Sequence, residues 1–201
     1  DTDNLSGRRT RAKYSLLYSI ALNKNYIDTT DIEILQPAIA YYSKKGTPTD
    51  KLKTLYYQGR IYYNRGDEAQ AMEYYLNALE KGEKSNDILT KARIYVSQGT
   101  IYNQLYEFEK FIDANLRAAE LFKTAGNNES YFGCMVRALN GYTLNDDTIG
   151  ADSCIQICKE LLPIVSIKRV GDFYSIYLTH LTSEKMHSEI PLIIEEYTSA
   201  L

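Results

Sequence analysis

Small and aromatic residues recur forty positions apart in this chain. In the segment LYYQGRIYYNRGDEAQAMEYYLNA, Leu55, Gly59 and Tyr62 stand at i, i+4 and i+7, and so do Ala71, Tyr75 and Ala78, with Arg65-Gly66-Asp67 between the sets. Adding forty reaches Gly99, Tyr102, Phe111 and Ala118, and adding forty again reaches Leu139, Tyr142, Ala151 and Cys158. Each set falls on one face of a helix, so each period holds two amphipathic helices and a tight turn. A single hairpin cannot bury its apolar face alone, which leaves a stack of hairpins as the expected architecture.

Gly59 puts no side chain on the buried face of its helix, and Ala71 and Ala78 put almost none on theirs. The two backbones can therefore lie close while Tyr62 and Tyr75 fill the space around them, and Gly66 suits a left-handed helix end. The spacing resembles the tetratricopeptide repeat, with Gly59 as its small residue, Tyr62 and Tyr75 as its aromatics, Gly66 as its turn glycine and Ala71 and Ala78 as its alanines. Leu55 stands where the family has Trp and Glu83 where it has Pro, while Phe111 takes an alanine slot and Asn115 an aromatic one. The period exceeds the family's length of about 34 residues, and the surplus is expected as longer helices around Leu79 to Lys91. The resemblance implies an all-α fold, a right-handed α-solenoid of about four helical hairpins.

Taken in order, DTDNLSGRR reads as an entry loop in which Asn4 or Ser6 caps the first helix. Asp1 in place of an initiator Met is read as the start of a processed or excised piece of a longer protein. Arg11 to Lys24 reads as a helix with Tyr14, Leu17, Tyr18, Ala21 and Leu22 on its apolar face, with a turn after it at Asp28 to Asp31. Thr30 and Glu33 have capping-box spacing for a partner helix through Leu35, Ile39 and Tyr42 to Gly46, in which Pro37 predicts a kink. Thr47-Pro48 starts the next helix. Further helices are expected over Asp67 to Ser85, Ile88 to Leu105, Glu107 to Thr124, Ser130 to Leu144, Ile149 to Leu162, Asp172 to Ser183 and Glu189 to Ala200, the last starting at Ser188 before Pro191. Leu178, Leu181, Ile190, Ile194 and Tyr197 give the final pair its apolar face. The hairpins span 11–46, 47–85, 87–124, 130–162 and 170–201 of a single domain, 1–201.

Charged residues at 24% and apolar ones at 44% argue against both disorder and membrane spanning. The longest apolar runs, such as Leu192 to Ile194, fall far short of the ~20 residues a bilayer requires, so no membrane insertion is expected of this segment. A net charge of -3 with both signs interspersed lacks the basic field that nucleic acid needs. Cys154 and Cys158 stand i, i+4 and read as helix-face packing, and adding Cys134 gives no zinc spacing. Asp1 and Asp3 lack the Gly and Glu of a calcium loop. His180 and His187 fall on a helix and the loop after it, Asp146-Asp147 is a capping turn, and neither a glycine-rich phosphate loop nor an HExxH pattern occurs. No enzyme activity, cofactor or metal is expected.

In a solenoid of this kind the first helix of each pair lines the concave side. The residues pointing there are Lys53, Tyr56, Arg60, Tyr63 and Asn64, then Arg93, Val96, Thr100, Asn103 and Gln104, then Arg137, Asn140 and Thr143, with Lys13, Asn23 and Lys24 before them. Cations, amides and tyrosines together suit an extended peptide, whose backbone needs donors and acceptors. Members of the family that bind chaperone tails use pairs of Lys, Asn and Arg four apart. Here Lys13 is followed by Leu17, Lys53 by Tyr57, and Arg137 is preceded by Gly133, so that clamp is absent. The chain has nineteen tyrosines and no tryptophan, and eight of the tyrosines fall in adjacent pairs (Tyr41-Tyr42, Tyr56-Tyr57, Tyr62-Tyr63, Tyr74-Tyr75), where on a helix one ring is expected to be buried while its neighbour points toward a partner.

The stretch Arg11 to Ala78 is also similar to the repeat region of a large group of bacterial envelope-associated proteins and regulators from gut commensals. That resemblance implies a non-catalytic protein-interaction module on the envelope or periplasmic side, the sensor or scaffold part of a signalling protein that takes a peptide or protein in its groove. It also implies a lipid-attachment or signal segment before the repeats, and a membrane helix, a coiled coil or a DNA-binding domain elsewhere in the full protein. A passive assembly scaffold, an accessory subunit of an envelope enzyme complex, or a cytoplasmic scaffold is the alternative.

Overall fold

The computed structural model describes residues 7–200, which form ten α-helices and no strand. They are α1 Arg8–Lys24, α2 Gln36–Lys45, α3 Pro48–Asn64, α4 Glu68–Lys81, α5 Ile88–Gln104, α6 Phe108–Thr124, α7 Asn128–Leu144, α8 Thr148–Leu161, α9 Ile167–Ser183 and α10 Ile190–Ala200. None is long and apolar enough to cross a membrane. The capping readings of Asn4 and Ser6, and the test of Asp1 and Asp3 as a calcium loop, lie outside the described residues.

From α3 to α8 every helix start but that of α6 carries a side-chain cap, the caps standing twenty residues apart or, across uncapped Glu107, forty. Thr47 accepts from the Asp50 N–H while the Asp50 carboxylate accepts from the Thr47 N–H, a full capping box with Pro48 behind the cap. Asp67, Asp87, Asn127 and Asp147 accept from the N–H groups of Gln70, Thr90, Ser130 and Gly150 at 2.9–3.1 Å. At α9 the cap comes from another helix: the Glu129 carboxylate of α7 accepts from the Ser166 N–H at 2.6 Å and its hydroxyl at 3.1 Å.

The first helix of every hairpin has 17 residues, and the turn after each closes the same way. Tyr26, Gly66, Tyr106, Asp146 and Lys185 all sit at φ between 54° and 79°. Around each, one N–H reaches back three residues and the next reaches back five, as in Asp67 N to Tyr62 O and Met186 N to Leu181 O. Only one of the five is glycine, so four side chains bear the steric cost of a left-handed backbone. Tyr106→Gly is therefore expected to gain about 1 kcal/mol, read as a rise in Tm of roughly 2–4 °C. An unchanged or lower Tm would show that its edge contact with Phe108, with centroids 6.2 Å apart, offsets the strain. The last step is one residue short because a 3-10 turn, Leu162–Ile164, precedes α9 and rises about 2.0 Å per residue instead of 1.5.

Four expectations need correction. Pro37 does not kink a helix: a 3-10 turn at Ile32–Leu35 comes first, α2 begins at Gln36, and the proline occupies its first turn, where no N–H is missed. That turn is capped by Asp31, which accepts from the Glu33 N–H at 2.9 Å, and not by a box of Thr30 and Glu33. The buried face of α1 is Ala12, Ser15, Leu16 and Ser19, whereas Tyr14, Leu17 and Tyr18 are exposed. The surplus of the period is not a longer helix at Leu79 to Lys91, since α4 stops at Lys81.

The chain divides into two compact units between Ile94 and Tyr95, within α5. In the first, α1 packs on α2, α2 on α3, and α3 on α4. A Cβ at Gly59 would lie 2.6 Å from Cδ1 of Tyr75, whose ring is fully buried on the face of α4 that carries Ala71 and Ala78. Tyr62 does not share that space: it stacks on Tyr74 with centroids 5.1 Å apart. At the other end of the same seam Gly82 lies against Leu52.

In the second unit α6 packs on α7, and α7 on both α8 and α9. The two departures from the repeat pattern explain each other here. Asn115 is fully buried and donates to the Phe111 carbonyl at 2.8 Å, lying against Gly99, while the Phe111 ring fills the space over Gly141. Farther along, Phe132, Phe173 and Tyr174 are buried, with Phe173 edge-on to both others at 6.0 and 5.1 Å. The Tyr174 hydroxyl donates to Glu196 at 2.8 Å and Lys159 pairs with the same carboxylate at 3.2 Å, which ties down α10. In α10 the buried residue is Ile193, and Ile194 is exposed.

Candidate functional site

The candidate groove residues fall in both units. In the first unit several already have partners within the chain. Lys53 Nζ lies 2.9 Å from Asp87 Oδ2, and Arg60 reaches Asp28 at 3.8 Å while its guanidinium lies 5.6 Å from the Tyr63 ring centroid. Asn64 donates to the Thr29 carbonyl at 3.0 Å and Arg65 to the Thr30 carbonyl at 2.6 Å, so the loop after α1 is laced to the end of α3. The space left beside Arg60 and Asn64 is about 10 Å³, room for one water. Tyr56 does not face outward: it is 4% exposed and packs edge-on against Tyr57, also buried. Tyr63 and Arg93 are half-buried. Burial pushes the Tyr57 hydroxyl up to about 12, with Tyr56 adding to the shift.

Asp87 is both a helix cap and the partner of Lys53. Burial would raise its pKa, but hydrogen bonds from Lys53 and from the backbone and hydroxyl of Thr90 outweigh burial and hold the carboxyl below its ordinary value. A carboxyl lowered on folding stabilises the fold above its unfolded pKa of about 3.9 and loses that contribution as pH falls through the folded value. The stability gap between the native chain and Asp87→Asn should therefore be widest near neutral pH and narrow below about pH 4, as denaturant melts at stepped pH would show. A gap that stays constant down to about pH 2 would refute this.

In the second unit the geometry is more open. Arg137 extends from α7 to the Thr100 hydroxyl at 3.3 Å, and Thr100 in turn donates to the Val96 carbonyl. Asn103 and Asn140 are half-buried and Gln104 is exposed. Between α7 and α9 runs a cleft of about 350 Å³ that contains Arg137 and Asn140 from the expected set. Its far wall is Arg169, Asp172, Ser175 and Ile176 of α9, none of them singled out from sequence. The signal was present: carrying Gly133, Val136 and Arg137 forward by 39 reaches Asp172, Ser175 and Ile176. Arg169 lies across Gly133, where a Cβ would come 3.2 Å from its guanidinium carbon, and it pairs with Glu129 at 3.7 Å and Asp172 at 3.5 Å.

Of the remaining chemistry-bearing groups, the three thiols and His180 are packed. Burial pushes the thiols of Cys134 and Cys154 up to about 12 and that of Cys158 higher still. His180 is buried on α9 with Nδ1 3.2 Å from the Thr143 hydroxyl, and His187 is exposed in the turn beyond. Among the described residues no group of His, Cys, Asp and Glu is arranged to hold a metal. In comparisons with known proteins, no family model, curated protein or solved structure matches the chain.

Proposed function

We propose that this chain is a tetratricopeptide-like helical-repeat module that binds a peptide or protein segment and performs no chemistry of its own. The observation that carries the reading is the α7–α9 cleft. Arg137 and Arg169 donate, Asp172 accepts, Asn140 does both, and Val136 and Ile176 supply an apolar floor. An extended peptide, with alternating donors and acceptors and side chains on both faces, matches that mixture better than a simple ion does. The protonated, buried thiols support the absence of catalysis. The similarity of Arg11 to Ala78 to envelope-associated repeat proteins supports a role as the sensor or scaffold part of an envelope regulator, with the bound segment biasing a downstream part.

Selection of displayed random peptides on the immobilised chain tests the groove. Enriched sequences should bind the native chain and lose about tenfold or more in affinity to Arg137→Glu with Asn140→Ala, while the melting curve stays put. Peptides that bind both chains equally would place the contact surface elsewhere.

A further inference from the structure

In the first unit a separate cleft of about 610 Å³ opens between α1 and α2. Arg8 and Arg11 line it from α1, and Lys44 and Lys45 from α2, against one carboxylate, Glu33. Three net positive charges thus gather in one cleft of a chain whose overall charge is -3. Among the described residues none of the four cations forms an ion pair or a side-chain hydrogen bond. Among the described residues the first turn of α1 holds no acidic residue, so Glu33 is the one carboxylate in the lining.

The walls are held in place before any ligand arrives. The Ser15 hydroxyl donates to the Ile34 carbonyl at 2.6 Å, which fastens the 3-10 turn to α1, and the Asp31 carboxylate holds the N–H of Glu33. The Tyr41 ring stands edge-on to the buried Tyr42 at 5.5 Å, and with Pro37 and Ala40 it forms the apolar part of the lining. The volume falls in the range of small-molecule pockets.

The donor and acceptor inventory narrows the occupant. Arginine and lysine only donate, and guanidinium groups match phosphate oxygens in pairs. Among the lining side chains acceptors are few, namely Glu33, the Gln36 amide oxygen and the Tyr41 hydroxyl, so the N–H groups of a peptide backbone would find few side-chain partners. A ligand with a clustered anion, a few hydroxyls and a flat ring fits every part. We propose that this cleft binds a nucleoside phosphate, with the phosphates on the four cations, sugar hydroxyls on Glu33 and Gln36, and the base against Tyr41 and Pro37. The site is independent of the α7–α9 cleft and of the peptide-binding reading.

Calorimetric titration of the whole chain at low salt tests it, with ADP, ribose 5-phosphate, pyrophosphate and a glutamate-rich peptide as probes. ADP should saturate at one per chain, and Arg11→Gln and Lys44→Gln should each weaken it about tenfold. Lys84→Gln, an exposed change outside the cleft, should leave it unaltered. Tyr41→Phe should retain binding and Tyr41→Ala lose it, and melting curves of all variants identify any that fail to fold. Ribose 5-phosphate and pyrophosphate should bind more weakly than ADP. No saturation by ADP at millimolar concentration, equal binding by the native chain and both cation variants, or pyrophosphate as tight as ADP would overturn the proposal. Tighter binding of the glutamate-rich peptide would overturn it too, in favour of an acidic protein segment.

Discussion

Gly59→Leu should lower stability by about 3 kcal/mol. Even the first added carbon would lie 2.6 Å from Tyr75 Cδ1 and 3.2 Å from the Ala71 carbonyl oxygen, and the Tyr75 ring is fully buried with nowhere to turn. The seam must then spread or the ring must leave its pocket. At roughly 2–4 °C per kcal/mol for a chain of this size, the melting point should fall by about 10 °C. Combining Gly59→Leu with Tyr75→Ala should cost less than the sum of the two changes, since the cavity from one receives the bulk of the other. Additive costs would mean that the two residues do not share the space assigned to them.

Phe173→Ala should cost about 3–5 kcal/mol, the usual range for emptying a buried aromatic site. Its ring contacts Phe132, Tyr174 and Tyr177 at centroid distances of 5.1–6.0 Å. Truncation removes the centre of that cluster, and the surrounding rings cannot collapse into the space without pulling α7 from α9. Denaturant titration of the variant should show an earlier midpoint. A loss below about 1 kcal/mol would mean that the cluster relaxes as a loose set of rings.

Legibility in the sequence depends on what each residue type reveals by pattern alone. The repeat at 55–78 is legible because Gly59, Ala71 and Ala78 mark a close seam by size, and the two after it because Gly99, Ala118 and Ala151 recur at forty-residue steps. The first hairpin is legible as two helices, but its buried face is not, because its counterpart of Gly59 is Ser19, a small residue that a hydropathy pattern counts as polar. Ser19 donates to the Ser15 carbonyl at 3.1 Å and is buried with its hydroxyl satisfied, so α1 hides its serines and leaves two tyrosines in solvent. A periodicity argument sees only the tyrosines. Lys53, Arg60 and Asn64 are legible as polar positions on α3, but their partners Asp87, Asp28 and Thr29 lie far off along the chain, beyond the reach of any helical spacing. The α9 wall of the second cleft escapes because a 3-10 turn shortens the period by one and shifts the register.

Six turns among the described residues are closed by the same pair of backbone bonds, the five after the first helices and the one at Gly126. Because the chain reverses through N–H and C=O groups that every residue other than proline carries, the residue at the left-handed position is free to vary at a cost of about 1 kcal/mol. Tyrosine, glycine, aspartate and lysine all occupy it here, and Tyr26 and Tyr106 stand 94% and 79% exposed. The path of the backbone and the chemistry displayed at its bends are thus separately adjustable. A frame of this kind can exchange what it presents at each bend without redrawing its course.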